Sequence, residues 1–233
     1  MKKLLGIMTM VVAFNVTAQT NADLLNHYKA YYKQMQTQGD MQGVINALTH
    51  LHVLEPNEAR LDTLAALYMN AGNHNQALNT IGYEKKANDS DMAVEVKAIC
   101  LKAVNQPQLA VEHFDELFKR KPTAMLAYEL ADLKIQLNDL TGAMVNITYG
   151  MANAKDDEMR AYYETQTPYQ VSLKAGFTYL KGILKFRENE QDIDGAIAIL
   201  NEAIQIAPNF NLATLSRQAL ESRKTQPQPQ KND

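Results

Sequence analysis

One cysteine in 233 residues, no tryptophan, seven prolines and ten glycines mark what this chain does without. A lone thiol, Cys100, excludes an internal disulfide, so the fold must be held by packing rather than by covalent staples. Glycine is too sparse and too scattered for a phosphate-cradling loop between a strand and a helix. Charge of one sign is also missing: 23 basic against 26 acidic residues give a formal charge of −3, which does not match the basic footprint of a nucleic-acid binder. The five histidines include no pair spaced for a shared metal. His50 and His52 are two apart and point to different helix faces, and His113 beside Glu112 has no second histidine one turn on. These histidines, with His27 and His74, are expected at the surface, and Cys100 as a buried small hydrophobe beside Ala98 and Leu101. No catalytic residue, cofactor or metal is expected, and the chain reads as a non-enzyme.

The one long apolar run is at the start. Lys2 and Lys3 precede Leu4 to Val16, and Val16-Thr17-Ala18 ends in a small residue. That pattern predicts a cleavable secretory signal over residues 1–18, too short to serve as a transmembrane span. With no cysteine in the segment, a lipoprotein anchor is not expected. Loss of Lys2 and Lys3 would take the formal charge from −3 to −5. A disulfide-free exported protein suits a bacterial periplasm or exterior.

What is abundant is alanine, leucine, glutamine and lysine on a regular grid. Val44, Ala77, Ala110 and Ala143 lie 33 residues apart, and Leu48, Ile81, Phe114 and Ile147 follow each by four. Ala65, Ala98 and Ala131 precede the last three anchors by twelve, while Pro56 and Pro122 follow their anchors by twelve, as Pro208 follows Ala196. A small residue in each of two consecutive helices lets them approach closely, and a large one a turn later fills the gap to the next pair. Proline stops the second helix, because it lacks the amide donor and constrains its predecessor. The grid breaks once, where about eighteen extra residues enter near 152–169. Within that insert Thr167 reads as an N-cap and Pro168 as the first residue of a helix reaching Arg187. No strand is expected anywhere.

The run Leu64-Ala65-Ala66-Leu67-Tyr68-Met69-Asn70-Ala71-Gly72 through Ala77, and Leu130-Ala131-Asp132-Leu133 through Asn138 to Ala143, resemble tetratricopeptide repeats. Ala196, Leu200, Ala203 and Pro208 are similar to the second helix of that motif. The resemblance implies an all-α, right-handed solenoid of about five helix pairs over residues 19–223, closed by a capping helix at Leu212 to Ser222. The repeats fall near 25–57, 58–90, 91–123, 124–157 and 170–208, and 224–233 is a disordered tail. The spacing of 33, one short of the usual period, also fits ankyrin repeats, but their threonine-proline-leucine-histidine turn is absent.

The same resemblance implies a groove lined by the first helix of each pair. Carried over by position, it takes Lys29 and Lys33 from the first repeat, Met69 from the second, Met92, Ile99 and Lys102 from the third, and Met125, Tyr128 and Ile135 from the fourth. This stretch is apolar and methionine-rich, the kind of surface that adapts to partners. Met92 and Val96 stand where a carboxylate clamp would need cations. The expected function is an exported scaffold binding a protein segment in bacterial envelope assembly, the alternative being a module for a glycan or peptidoglycan fragment. The tyrosines Tyr28, Tyr31 and Tyr32, and the insert around Tyr162 and Tyr163, are further candidate surfaces.

Overall fold

The computed structural model describes residues 20–225, so the expected signal segment and residues 226–233 of the expected tail lie outside the described residues. The described chain is helical except for one short hairpin, and it divides into two compact units, the first ending at Leu61.

In the first unit, α1 (Asn21–Gln38) opens on a reciprocal cap: Thr20 Oγ1 accepts the Asp23 amide at 3.2 Å, and the Asp23 carboxylate accepts the Thr20 amide at 3.2 Å. The next helix, α2 (Met41–Leu54), is capped by Asp40, whose carboxylate accepts the Gly43 amide at 2.9 Å. It buries Val44, Ala47, Leu48 and Leu51, whereas α1 has no fully buried residue. Gly43 is required by closeness: a Cβ there would lie 2.4 Å from Met35 Sδ. Tyr28, Tyr31 and Tyr32 are half-buried, and Tyr28 stacks on His50 at 4.3 Å between ring centroids.

The chain enters the second unit along α3 (Glu58–Asn70) and continues through α4 (His74–Ile81), α5 (Asp91–Ala103), α6 (Pro107–Arg120), α7 (Ala124–Gln136) and α8 (Leu140–Asn153). A hairpin of β1 (Met159–Tyr162) and β2 (Tyr169–Ser172) follows, then α9 (Leu173–Glu188), α10 (Ile193–Ile206) and α11 (Asn211–Thr225). The alanines of the grid carry the close approaches: Ala65, Ala77, Ala98, Ala110, Ala131 and Ala143 are fully buried, with Phe114 and Ile147 beside them. Consecutive helices thus form the α-solenoid that the periodicity predicts, and α11 closes its end.

The period has a backbone cause. Gly39, Gly72, Asn105 and Asn138 stand 33 residues apart, and all four are left-handed, with φ of 70°, 76°, 57° and 61°. Each ends the first helix of its pair by the same two bonds. At the third of these turns, for example, the Asn105 amide donates to Lys102 O and the Gln106 amide to Leu101 O. Left-handed backbone favours glycine and tolerates asparagine, which is what the sequence places there.

Several features depart from the sequence expectation or add to it. The insert forms antiparallel strands, with Met159 opposite Ser172 and Tyr162 opposite Tyr169. The helix expected from Pro168 instead starts at Leu173, capped by Ser172, whose hydroxyl accepts the Ala175 amide at 3.2 Å; Thr167 and Pro168 lie in the hairpin connection. In addition, α4 stops after eight residues at Gly82, whose φ of 80° turns the chain into a loop over 82–90. At the far end, Lys224 and Thr225, expected in the tail, complete α11.

Polar side chains on α5 and α6 hold that loop. Lys97, fully buried on α5, donates from Nζ to Asp89 Oδ1 and Oδ2 at 2.8 and 2.7 Å and to Glu84 O at 2.8 Å. His113 Nε2–H donates to the Tyr83 carbonyl at 2.9 Å, and Arg120 donates to the Asp89 carbonyl at 3.0 Å. His113 is therefore buried, contrary to the surface placement expected for the histidines, because a loop carbonyl comes down to meet it.

Candidate groove between the fifth, sixth and seventh helices

A depression of about 540 Å³ in the second unit lies between α5, the C-terminal half of α6 and α7. Its apolar floor is built from Ile99, Phe114, Leu117, Met125 and Leu126, and its rim from Asp91, Glu95, Lys102, Arg120, Lys121 and Glu129. Helical spacing explains the grouping. Glu95, Ile99 and Lys102 are successive turns of one face of α5, and Met125 and Glu129 are one turn apart on α7. Ile99 is 36 % exposed and Met92, one turn before Glu95, is 46 % exposed, so this face offers apolar side chains to an incoming molecule.

The rim is mostly internally paired. Lys102 Nζ reaches Glu129 Oε2 at 2.5 Å and Asp132 Oδ2 at 3.3 Å. Arg120 is held by Glu116 at 2.9 Å and Asp91 at 3.1 Å, and Lys121 by Asp91 at 2.6 Å. Glu129 also takes Arg160 Nη1 at 2.5 Å. Burial pushes the Glu129 carboxyl up, but Lys102 and Arg160 more than offset this and hold it below the usual carboxylate range.

Arg160 belongs to β1, and through it the hairpin lies over α7. Its guanidinium carbon sits 4.0 Å from the centre of the Tyr128 ring, and Tyr128 OH meets Tyr162 OH at 2.8 Å. Phe177 of α9 meets the Tyr128 ring edge-on at 5.5 Å between ring centroids. Burial pushes the Tyr128 phenol well above its ordinary value and that of Tyr162 to about 12, so both stay neutral hydrogen-bonding groups.

The expected groove residues separate accordingly. Ile99, Lys102 and Met125 converge in this depression, and Met92 is exposed on the same face of α5. Tyr128 and Ile135 do not line it. Tyr128 is 3 % exposed beneath the hairpin, and Ile135 is buried in the core that α7 shares with α8 and α9. Met69 is half-buried on α3, while Lys29 and Lys33 are exposed on α1 in the first unit. Position-by-position transfer missed Phe114, Leu117 and Arg120 of α6 and Lys121 just beyond its end. The amphipathic spacing of α6 could have signalled it, since Leu117 continues the apolar row begun by Ala110 and Phe114.

Solved structures with this arrangement of helices include the crystal structure of MamA protein, 14% identical over 89% of this chain and 99% of that one, with a TM-score of 0.55. MamA 41-end from Desulfovibrio magneticus RS-1 is likewise 14% identical, over 83% of this chain and 99% of that one, with a TM-score of 0.58. A tetratricopeptide repeat protein from Parabacteroides merdae is 17% identical over 87% of this chain and 72% of that one, with a TM-score of 0.45. The fold is that of the tetratricopeptide-repeat proteins. No protein-family model and no curated protein matches the chain. At these identities the likeness is one of fold, and the function of this helical stack has to be argued from its own groove. Among its described residues no helix is long and apolar enough to cross a membrane, and no group of His, Cys, Asp or Glu is placed to hold a metal ion.

Proposed function

We propose that this chain is an exported, non-catalytic interaction scaffold that holds a segment of a partner protein in the groove between α5, α6 and α7, in the service of bacterial envelope assembly. The observation that carries the reading is the exposed apolar pair Met92 and Ile99 beside a floor of Phe114, Leu117, Met125 and Leu126. Repeat stacks present extended surfaces of this kind to peptide segments. Export rests on the pattern of residues 1–18 described above. The glycan alternative lacks support here: Phe114 is the one aromatic among the groove residues, and it is buried, so no ring is offered for sugar stacking.

Affinity capture from envelope extracts, with crosslinking and mass spectrometry, tests the proposal. Crosslinks from one dominant protein should fall on Lys102 and Lys121, and Met92→Asp with Ile99→Asp should abolish them. Undiminished capture by that double variant removes the groove from the function, and recovery of the intact chain from the cytoplasm with residues 1–18 attached removes export.

A further inference from the structure

The proposed function leaves open what chemistry the partner segment brings, and the charges around the groove answer that. Every basic side chain lining it is already held by carboxylates of the same unit: Lys102 by Glu129 and Asp132, Arg120 by Glu116 and Asp91, Lys121 by Asp91. An acidic segment would have to draw one of these away from its partner. Of the acidic lining residues, Asp91 and Glu129 are themselves engaged, and Glu95 alone among the charged lining residues has no ion-pair partner among the described residues. Glu95 is exposed, and it stands one turn from Met92 and one turn from Ile99 on the face of α5 that carries both.

The chain also supplies its own example of what this surface accepts. Strand β1 is an extended segment lying over α7, and it is anchored by one basic side chain. Arg160 pairs with Glu129, touches Met125 Sδ at 3.5 Å, and lies over the Tyr128 ring. Glu129 and Met125 both line the groove, so Arg160 engages two of its lining residues from outside it. The adjoining α5 side repeats the elements with Glu95 and Ile99, and there no basic side chain among the described residues pairs with the carboxylate.

We infer that the groove takes an extended apolar segment bearing one lysine or arginine, whose cationic group is received by Glu95. The inference rests on the groove reading above. Three acetylated, amidated eight-residue peptides of one apolar background, carrying a single arginine, glutamate or glutamine, test it by fluorescence anisotropy against the full chain at low salt. An exposed ion pair contributes a factor of up to about five, so the arginine peptide should bind roughly five-fold more tightly than the glutamate peptide, less so as salt is raised. The preference should vanish in Glu95→Gln and reverse in Glu95→Arg; Glu95 is exposed and unpaired, so neither change threatens folding.

Equal binding of the three peptides, or a preference that survives Glu95→Gln, overturns the inference. If that equal binding is lost in Ile99→Asp, the groove reading stands and the charge assignment alone is wrong. Failure of all three peptides to bind overturns the inference as well, and the capture experiment then decides the groove reading separately.

Discussion

Replacing Lys97 by methionine keeps most of the aliphatic stem and removes the charge that the loop over 82–90 is built around. The side chain of Lys97 is 0 % exposed and that of Asp89 7 %. The substitution therefore strands a buried carboxylate and the Glu84 carbonyl, with only the Lys86 amide, 2.9 Å from Asp89 Oδ2, left on that oxygen. Removing one partner of a buried ion pair costs about 3–5 kcal/mol. A unit of this size loses about 2–4 °C of melting temperature per kcal/mol, so the variant should melt roughly 6–20 °C lower. Burial pushes the Asp89 carboxyl up, but the bonds from Lys97 and the Lys86 amide more than offset it, so its folded pKa is below the ordinary value. With the folded value depressed, the pair's contribution is fully present above the unfolded pKa of about 3.9 and is lost as pH falls through the folded one. Urea denaturation followed by circular dichroism should then show a large gap between Lys97→Met and the parent at pH 7, narrowing below about pH 3.9. Asp89→Asn in the Lys97→Met background should recover more than half of the loss. A penalty under about 1 kcal/mol at pH 7, or strictly additive effects of the two substitutions, refutes the ion pair as the anchor of the loop.

The left-handed turns predict a selective response at Gly72. A Cβ there meets no atom within 4 Å, so Gly72→Val should cost only the backbone strain, about 1–2 kcal/mol, while Gly72→Asn should be nearly neutral in a thermal melt because asparagine already serves at Asn105 and Asn138. Burial lowers the His113 pKa, although its bond to the Tyr83 carbonyl works in the opposite direction. The folded state therefore prefers neutral imidazole, and stability present above about pH 6.5 should decline on acidification below it. His113→Gln should flatten the difference between urea midpoints at pH 7 and pH 5, and an unchanged difference would assign that acid sensitivity to other groups.

The solenoid was legible because its grid is written in residues with steric reasons to be there. Alanines mark the close approaches; the glycine or asparagine every 33 residues, which makes the left-handed turns, joined the grid only once the backbone was seen. The position of the insert was legible as a break in that grid, but its conformation was not. Two four-residue strands carry too little alternation to be read, and Thr167-Pro168 offers a helix start as plausible locally as the one Ser172 makes. The groove was half legible for the same reason. Ile99, Lys102 and Met125 follow from the groove positions that the repeat resemblance implies. Tyr128 stands at an equivalent position on α7, yet the hairpin arrives from more than thirty residues away to bury it, and no local pattern announces that. Lys97 and His113 were missed likewise, since their partners belong to a loop that exists only because α4 ends early.

The hairpin has one more effect, on how the second unit comes apart. In a plain helical repeat each pair touches only its neighbours, and the chain behaves as a row of units that can fray one at a time. Here Tyr162 and Arg160 are fixed to Tyr128 and Glu129, while Tyr169 OH accepts the Leu212 amide at 3.0 Å and Gln170 O accepts Asn209 Nδ2 at 3.0 Å. A single strand pair thus ties α7 directly to the start of α11, across the helices in between. That cross-brace converts nearest-neighbour coupling into a long-range one, so the segment from α7 to α11 is bound to open as a block, and α11 cannot peel away from α10 without also releasing its hold on the hairpin.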